Sequence, residues 1–136
     1  MGEDIYIKYS AAKTVYDQAS KILRFPRKHI LSHHLLHSMY QHLRLDRTDY
    51  AQIAIFVNNH ALYEVLRQAL PTLKYDITAG HSLGEYNALV AADALEFESA
   101  LELVSERGRC MHEASRSLKG GLLALTDIVD VGSPEW

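Results

Sequence analysis

One serine stands between two glycines in the run Thr78-Ala79-Gly80-His81-Ser82-Leu83-Gly84-Glu85-Tyr86. A serine hydroxyl can accept an acyl group when the backbone holds it clear of its neighbours and amide donors meet the charge that builds on the attacked carbonyl. The short apolar run Ile77 to Ala79 precedes the motif, and the helix-forming run Tyr86-Asn87-Ala88-Leu89-Val90-Ala91-Ala92 follows it. Strand, sharp turn and helix in that order make a nucleophile elbow. Ser82 is then held at the tip in a strained conformation, and side chains in place of Gly80 or Gly84 would collide as the turn closes. Ser82 is the expected nucleophile. The backbone amide of Leu83, at the helix N-terminus, is the expected oxyanion donor.

Attack by a hydroxyl near neutral pH also needs a base within reach. His112 is the sole histidine after Ser82. His81 adjoins the serine, but an elbow turns neighbouring side chains to opposite sides.

The run Gly80 to Tyr86, followed by Ala88-Leu89 and then by Glu106-Arg107-Gly108-Arg109, resembles the malonyl-CoA:acyl carrier protein transacylase family and the related acyltransferase domains of polyketide and fatty acid synthases. The resemblance implies an α/β fold: a partial hydrolase-like acyltransferase core, mostly helical with few parallel strands, ending at the start of a ferredoxin-like small subdomain. Residues 1–118 then form part of the large subdomain with its elbow, and 119–136 open the truncated small one.

It also implies an enzyme of the acyl carrier protein S-malonyltransferase type. In that reaction the serine takes malonyl from coenzyme A as an ester, and the phosphopantetheine thiol of a carrier protein takes it onward. Arg107 would pair with the malonyl carboxylate, work suited to a planar two-pronged donor. His81 joins it as a substrate-binding residue. The substrates are a CoA thioester, malonyl-CoA or a similar acyl-CoA, and carrier-protein phosphopantetheine. No metal or bound cofactor is implied.

The departures from the family matter equally. Its downstream base histidine, the Gly-Gln-Gly-Ser-Gln loop that gives a second oxyanion amide, and most of the small subdomain have no counterpart here. Met1-Gly2-Glu3-Asp4 lines up with the turn after that loop, so Met1 reads as an internal methionine. The expectation is an incomplete or inactive form, with a second chain supplying the missing histidine as one way to complete it. Two alternatives stay open: a serine esterase or thioesterase-like hydrolase, and a non-catalytic remnant of a synthase subunit.

The elements that position these residues can be read from periodicity. Ala12, Val15, Ala19 and Ile22 make an amphipathic helix that Phe25-Pro26 ends. His29, His33 and His37 fall on one face of a second helix, where a solvated polar face explains them better than a metal site. Thr48 to Leu66 reads as a core helix with apolar residues on every side, Ile55, Leu62 and Leu66 among them, and with satisfied buried polar groups at Asn58, Asn59 and His60. Lys74 to Ala79 is the strand entering the elbow. Asp93-Ala94 breaks the elbow helix, and a long helix to about Ala114 carries the stripe Phe97, Leu101, Val104, Gly108 and Met111, with Arg107 at its edge. Gly120-Gly121-Leu122-Leu123-Ala124-Leu125 reads as the first strand of the small subdomain.

The chain of 136 residues can bury about two-thirds of its unfolded surface. Its net charge of -3 points to neither nucleic acid nor an anionic membrane as partner. With no run of membrane-span length, it reads as cytoplasmic. The single cysteine, Cys110, excludes an internal disulfide and reads as a small packed residue on its helix.

Overall fold

Apolar residues three and four apart place helices along most of the chain, and the computed structural model bears that periodicity out. It describes residues 2–23, 47–117 and 120. Five helices follow in order among them: α1 (Glu3–Lys8), α2 (Ser10–Ile22), α3 (Thr48–Ala69), α4 (Gly84–Ala91) and α5 (Phe97–Ser117). α3 is the centre, packed against α2, α4 and α5.

The core is built from the faces that the helical period brings together. Ala12, Val15, Tyr16 and Ala19 of α2 meet Ile53, Phe56, Val57 and Ala61 of α3, and Phe97, Ala100, Leu101 and Val104 of α5 close the other side. Phe56, Leu101 and Val104 are fully buried, each worth about 1.5–3 kcal/mol of transfer free energy. Phe56 stacks on Phe97 at 5.6 Å between centroids. Asn58 is buried, as expected of a satisfied polar group, and accepts a hydrogen bond from Tyr16 Oη at 2.9 Å. Gly2 (φ 92°) lets the chain enter α1 against that pair, because a Cβ there would fall 2.4 Å from Tyr16 Oη.

Several expectations are corrected. α3 is central but not buried all round: Ile55, Leu62 and Leu66 are 40%, 46% and 44% exposed, because the burying neighbours sit on the Ile53–Phe56–Val57–Ala61 face. Asn59 is exposed and reaches Asn87. Cys110 is exposed too, with Sγ 3.5 Å from Glu106 Oε1, so it fills no packed site. Met111 ends the α5 stripe outside the core at 40% exposure.

No strand occurs among the described residues, so the α/β expectation is not met there. Residues 73–80 are non-helical, with a bend at Asp76, and join no ladder within that set, since a strand needs a second backbone to pair with. Side chains anchor the segment instead. Thr78 Oγ1 donates to Ala88 O at 2.9 Å and Tyr75 Oη to Ala91 O at 2.6 Å, both on α4. The histidine-rich helix and nearly all of the small-subdomain segment lie outside the described residues.

Candidate active site

Gly80 closes the 73–80 segment and Gly84 opens α4, leaving a three-residue turn with Ser82 in the middle. Ser82 has φ 53°, a left-handed conformation that costs a residue with a Cβ about 1 kcal/mol or more. The turn is tight: Gly84 N–H donates to His81 O at 2.9 Å and Tyr86 N–H to Leu83 O at 3.2 Å. Only glycine fits at position 80, where a Cβ would lie 2.0 Å from Gly84 O. The same reason does not hold for Gly84, around which a Cβ would meet nothing within 4 Å. Leu83 N–H has no acceptor among the described residues and remains free to donate. His81 is exposed beside the serine.

α4 is placed by its contacts with the central helix. Asn87 Nδ2 donates to Phe56 O at 3.0 Å, so the elbow helix is pinned to the middle of α3. On the opposite side of the turn, α5 approaches α3 closely at Gly108, where a Cβ would stand 2.9 Å from Asp49 Cα. That approach brings the preceding residue, Arg107, over the first turns of α3. Its Nη1 donates to Gln52 Oε1 and its Nη2 donates to Ser82 Oγ at 3.0 Å. Arg107 is half-buried, as its edge position on the stripe implied.

His112 lies further along the same helix, against α3. Its Nδ1 is 4.0 Å from Asp49 Oδ1. Asp49 also takes both Arg47 Nε at 3.1 Å and Nη2 at 2.7 Å. Burial raises the Asp49 pKa, but the Arg47 hydrogen bond and charge, with His112, outweigh it and hold the carboxyl below its ordinary value. No histidine or carboxylate contacts Ser82 Oγ among the described residues. His112 lies nearest Asp49 instead.

The sequence reading assigned no role to Gln52. What signal there was is its place between Thr48 and Phe56 on one face of the helix, next to the apolar Ile53. Gln52 is only 5% exposed.

A serine in a strained turn, a free amide beside it and an arginine on its hydroxyl form a site for attack on a carbonyl that carries a nearby anion. The acyl transferase domain family matches residues 1–133. The chain belongs to this family. The malonyl CoA-acyl carrier protein transacylase of Bacillus subtilis is 37% identical over 125 residues, covering 92% of the chain and 37% of the relative. The polyketide biosynthesis malonyl CoA-acyl carrier protein transacylase of the same organism is 38% identical, covering 92% and 39%. The malonyl CoA-acyl carrier protein transacylase of Haemophilus influenzae is 41% identical over 81 residues, covering 60% of the chain and 26% of the relative. Among solved structures, MCAT from Streptococcus pneumoniae superposes with a TM-score of 0.70 at 38% identity, covering 84% of the chain and 34% of that protein. The chain thus spans well under half the length of these relatives.

The elbow also borders a cavity on its other flank. This open cavity of about 1160 Å³ lies between α3, α4 and residues 73–80, lined by His60, Tyr63, Tyr75, Thr78 and Asn87. The described residues hold no cluster of three or more metal-binding side chains, and no described helix is long and apolar enough to cross a membrane.

Proposed function

We propose that this chain carries the acyl-accepting half of a malonyl-type acyltransferase. Ser82 Oγ attacks the thioester carbonyl of malonyl-CoA or a related acyl-CoA, the Leu83 N–H receives the developing oxyanion, and Arg107 holds the free carboxylate of the acyl group. The ester forms as the C–S bond breaks and coenzyme A leaves as thiolate. The phosphopantetheine thiol of an acyl carrier protein then takes the acyl group and frees Ser82. His81 borders the acyl site from its exposed side. The reaction uses no bound cofactor, and the cytoplasm is its compartment.

The observation that carries this reading is the 3.0 Å bond from Arg107 Nη2 to Ser82 Oγ. Two residues 25 positions apart are brought into direct contact, so a guanidinium stands beside the atom that would carry the acyl group, where it is well matched to a carboxylate. An ester or thioester hydrolase gains nothing from that cation. The proton of Ser82 must pass to a base from outside the described residues.

Intact mass after incubation with malonyl-CoA, with and without imidazole as a substitute base, tests the reading. A malonyl adduct that forms faster with imidazole and is lost in Ser82→Ala is expected. A folded wild type that stays unmodified under both conditions would overturn it. Release of p-nitrophenol from a simple ester, with no malonyl adduct, would instead favour a hydrolase.

A further inference from the structure

Arg107 does not reach Ser82 unaided. Its other terminal nitrogen donates to Gln52 Oε1, and Gln52 is a buried residue whose amide is occupied at both ends. Gln52 Nε2 donates to Thr48 Oγ1 at 2.7 Å and to Met111 Sδ at 3.3 Å. Arginine has donors only, so it is the oxygen of Gln52 that must face it, and the nitrogen must point the other way. Flipping the amide would set N–H against N–H and strip Thr48 and Met111 of their donor. The orientation is therefore determined chemically, and it is anchored on two helices: Thr48 and Gln52 on α3, Met111 on α5.

We infer that Gln52 is a positioning residue for Arg107, holding the guanidinium plane so that Nη2 faces the acyl group on Ser82 and selects carboxylated acyl units over uncharged ones. This rests on the malonyl-type reading above for the identity of the acyl group. The physical reason is preorganisation. A guanidinium fixed at one edge loses little further freedom when its other edge takes a carboxylate, whereas an untethered arginine must be ordered by each substrate. A fixed cation also counts against acyl groups that leave it without an anion.

Two variants of the chain test this. Gln52→Met keeps the volume and removes the oxygen, whereas Gln52→Glu keeps an acceptor facing Arg107. Side-chain nitrogen NMR of Arg107 in the free protein reports guanidinium rotation, and calorimetry with malonyl-CoA and acetyl-CoA reports selectivity. In wild type the rotation is expected to be hindered. Gln52→Met should release it and cut the malonyl-over-acetyl affinity ratio about tenfold, the size of losing one hydrogen bond to a charged group. Gln52→Glu should restore hindered rotation while weakening malonyl-CoA, because its carboxylate competes for Arg107.

Unchanged rotation and an unchanged ratio in folded Gln52→Met would overturn the inference. Should that variant unfold, free rotation in Gln52→Glu would overturn it equally. A wild type that never prefers malonyl-CoA would remove the carboxylate reading and the selectivity built on it. The Arg107 signals would still decide whether Gln52 positions the arginine.

Discussion

The two sides of the elbow are held by different physics. Toward α5, helices α3 and α5 close on one another over Gly108, with Leu101 and Val104 fully buried between them and the Gln52–Arg107–Ser82 chain of hydrogen bonds above. Toward residues 73–80, Leu73, Tyr75 and Ile77 are 50%, 46% and 84% exposed, the first two lining the open cavity. There the contact is mainly polar: Tyr63 and Tyr75 share a short hydroxyl bond, and both reach Ala91 O. Ser82 thus takes its position relative to Arg107 from a dry, close-packed seam. The approach to the elbow is tied by a few hydrogen bonds near water.

The comparison can be broken most severely at the seam. Gly108→Val would drive a branched side chain into the backbone at Asp49. Overpacking of that kind should cost about 3 kcal/mol by urea denaturation and part Arg107 from Ser82. A variant as stable as wild type would mean that the two helices are free to separate.

The open flank should respond far less. Tyr75→Phe removes the nearer of two donors to Ala91 O and one partner of Tyr63, yet at a half-exposed hydroxyl the expected loss is about 0.5 kcal/mol. The Tyr63 hydroxyl, pushed up to about 12 by burial first and by the Tyr75 hydroxyl second, should titrate lower in this variant, which ultraviolet absorbance would follow. An unmoved Tyr63 titration would mean that the two hydroxyls do not interact.

His60 joins the two regions, stacked on Phe97 at 4.4 Å and tilted against Tyr63 at 6.1 Å. Burial holds its pKa below the ordinary 6.5; nearby Glu64 acts against that shift and Arg67 with it. The unfolded chain therefore takes up a proton near pH 6.5 while the folded chain resists until lower pH. Stability should fall as pH drops below about 6.5 and level off once the folded form is also protonated. His60→Phe should flatten that part of the stability curve, an effect smaller than that of either substitution above. An identical slope in the variant would move the cause of the acid sensitivity elsewhere.

Much of the site was legible in linear order. A serine between two glycines, with an apolar run before it and helix formers after it, left few conformations open, and Ser82 indeed has positive φ. The stripe Phe97, Leu101, Val104 and Gly108 was equally plain, because a helix facing one neighbour repeats its apolar residues every three or four positions. Periodicity failed on α3, where apolar residues occur on more than one face. Only the placement of α2 and α5 decided that Phe56 would be buried and Leu62 would not.

Local chemistry, then, was determined by the sequence alone: a strained turn, a free amide beside a hydroxyl, and an arginine at the margin of a helix stripe. Those depend on neighbours along the chain. Which distant groups meet was left to the tertiary structure. Gln52 has no assignable role until α5 comes close enough at Gly108 to set Arg107 on its oxygen, and the neighbour of His112, Asp49, is 63 positions away in the chain. A hydrogen bond between residues 55 positions apart has no local pattern to announce it, because it exists only after the apolar faces have brought the two helices together.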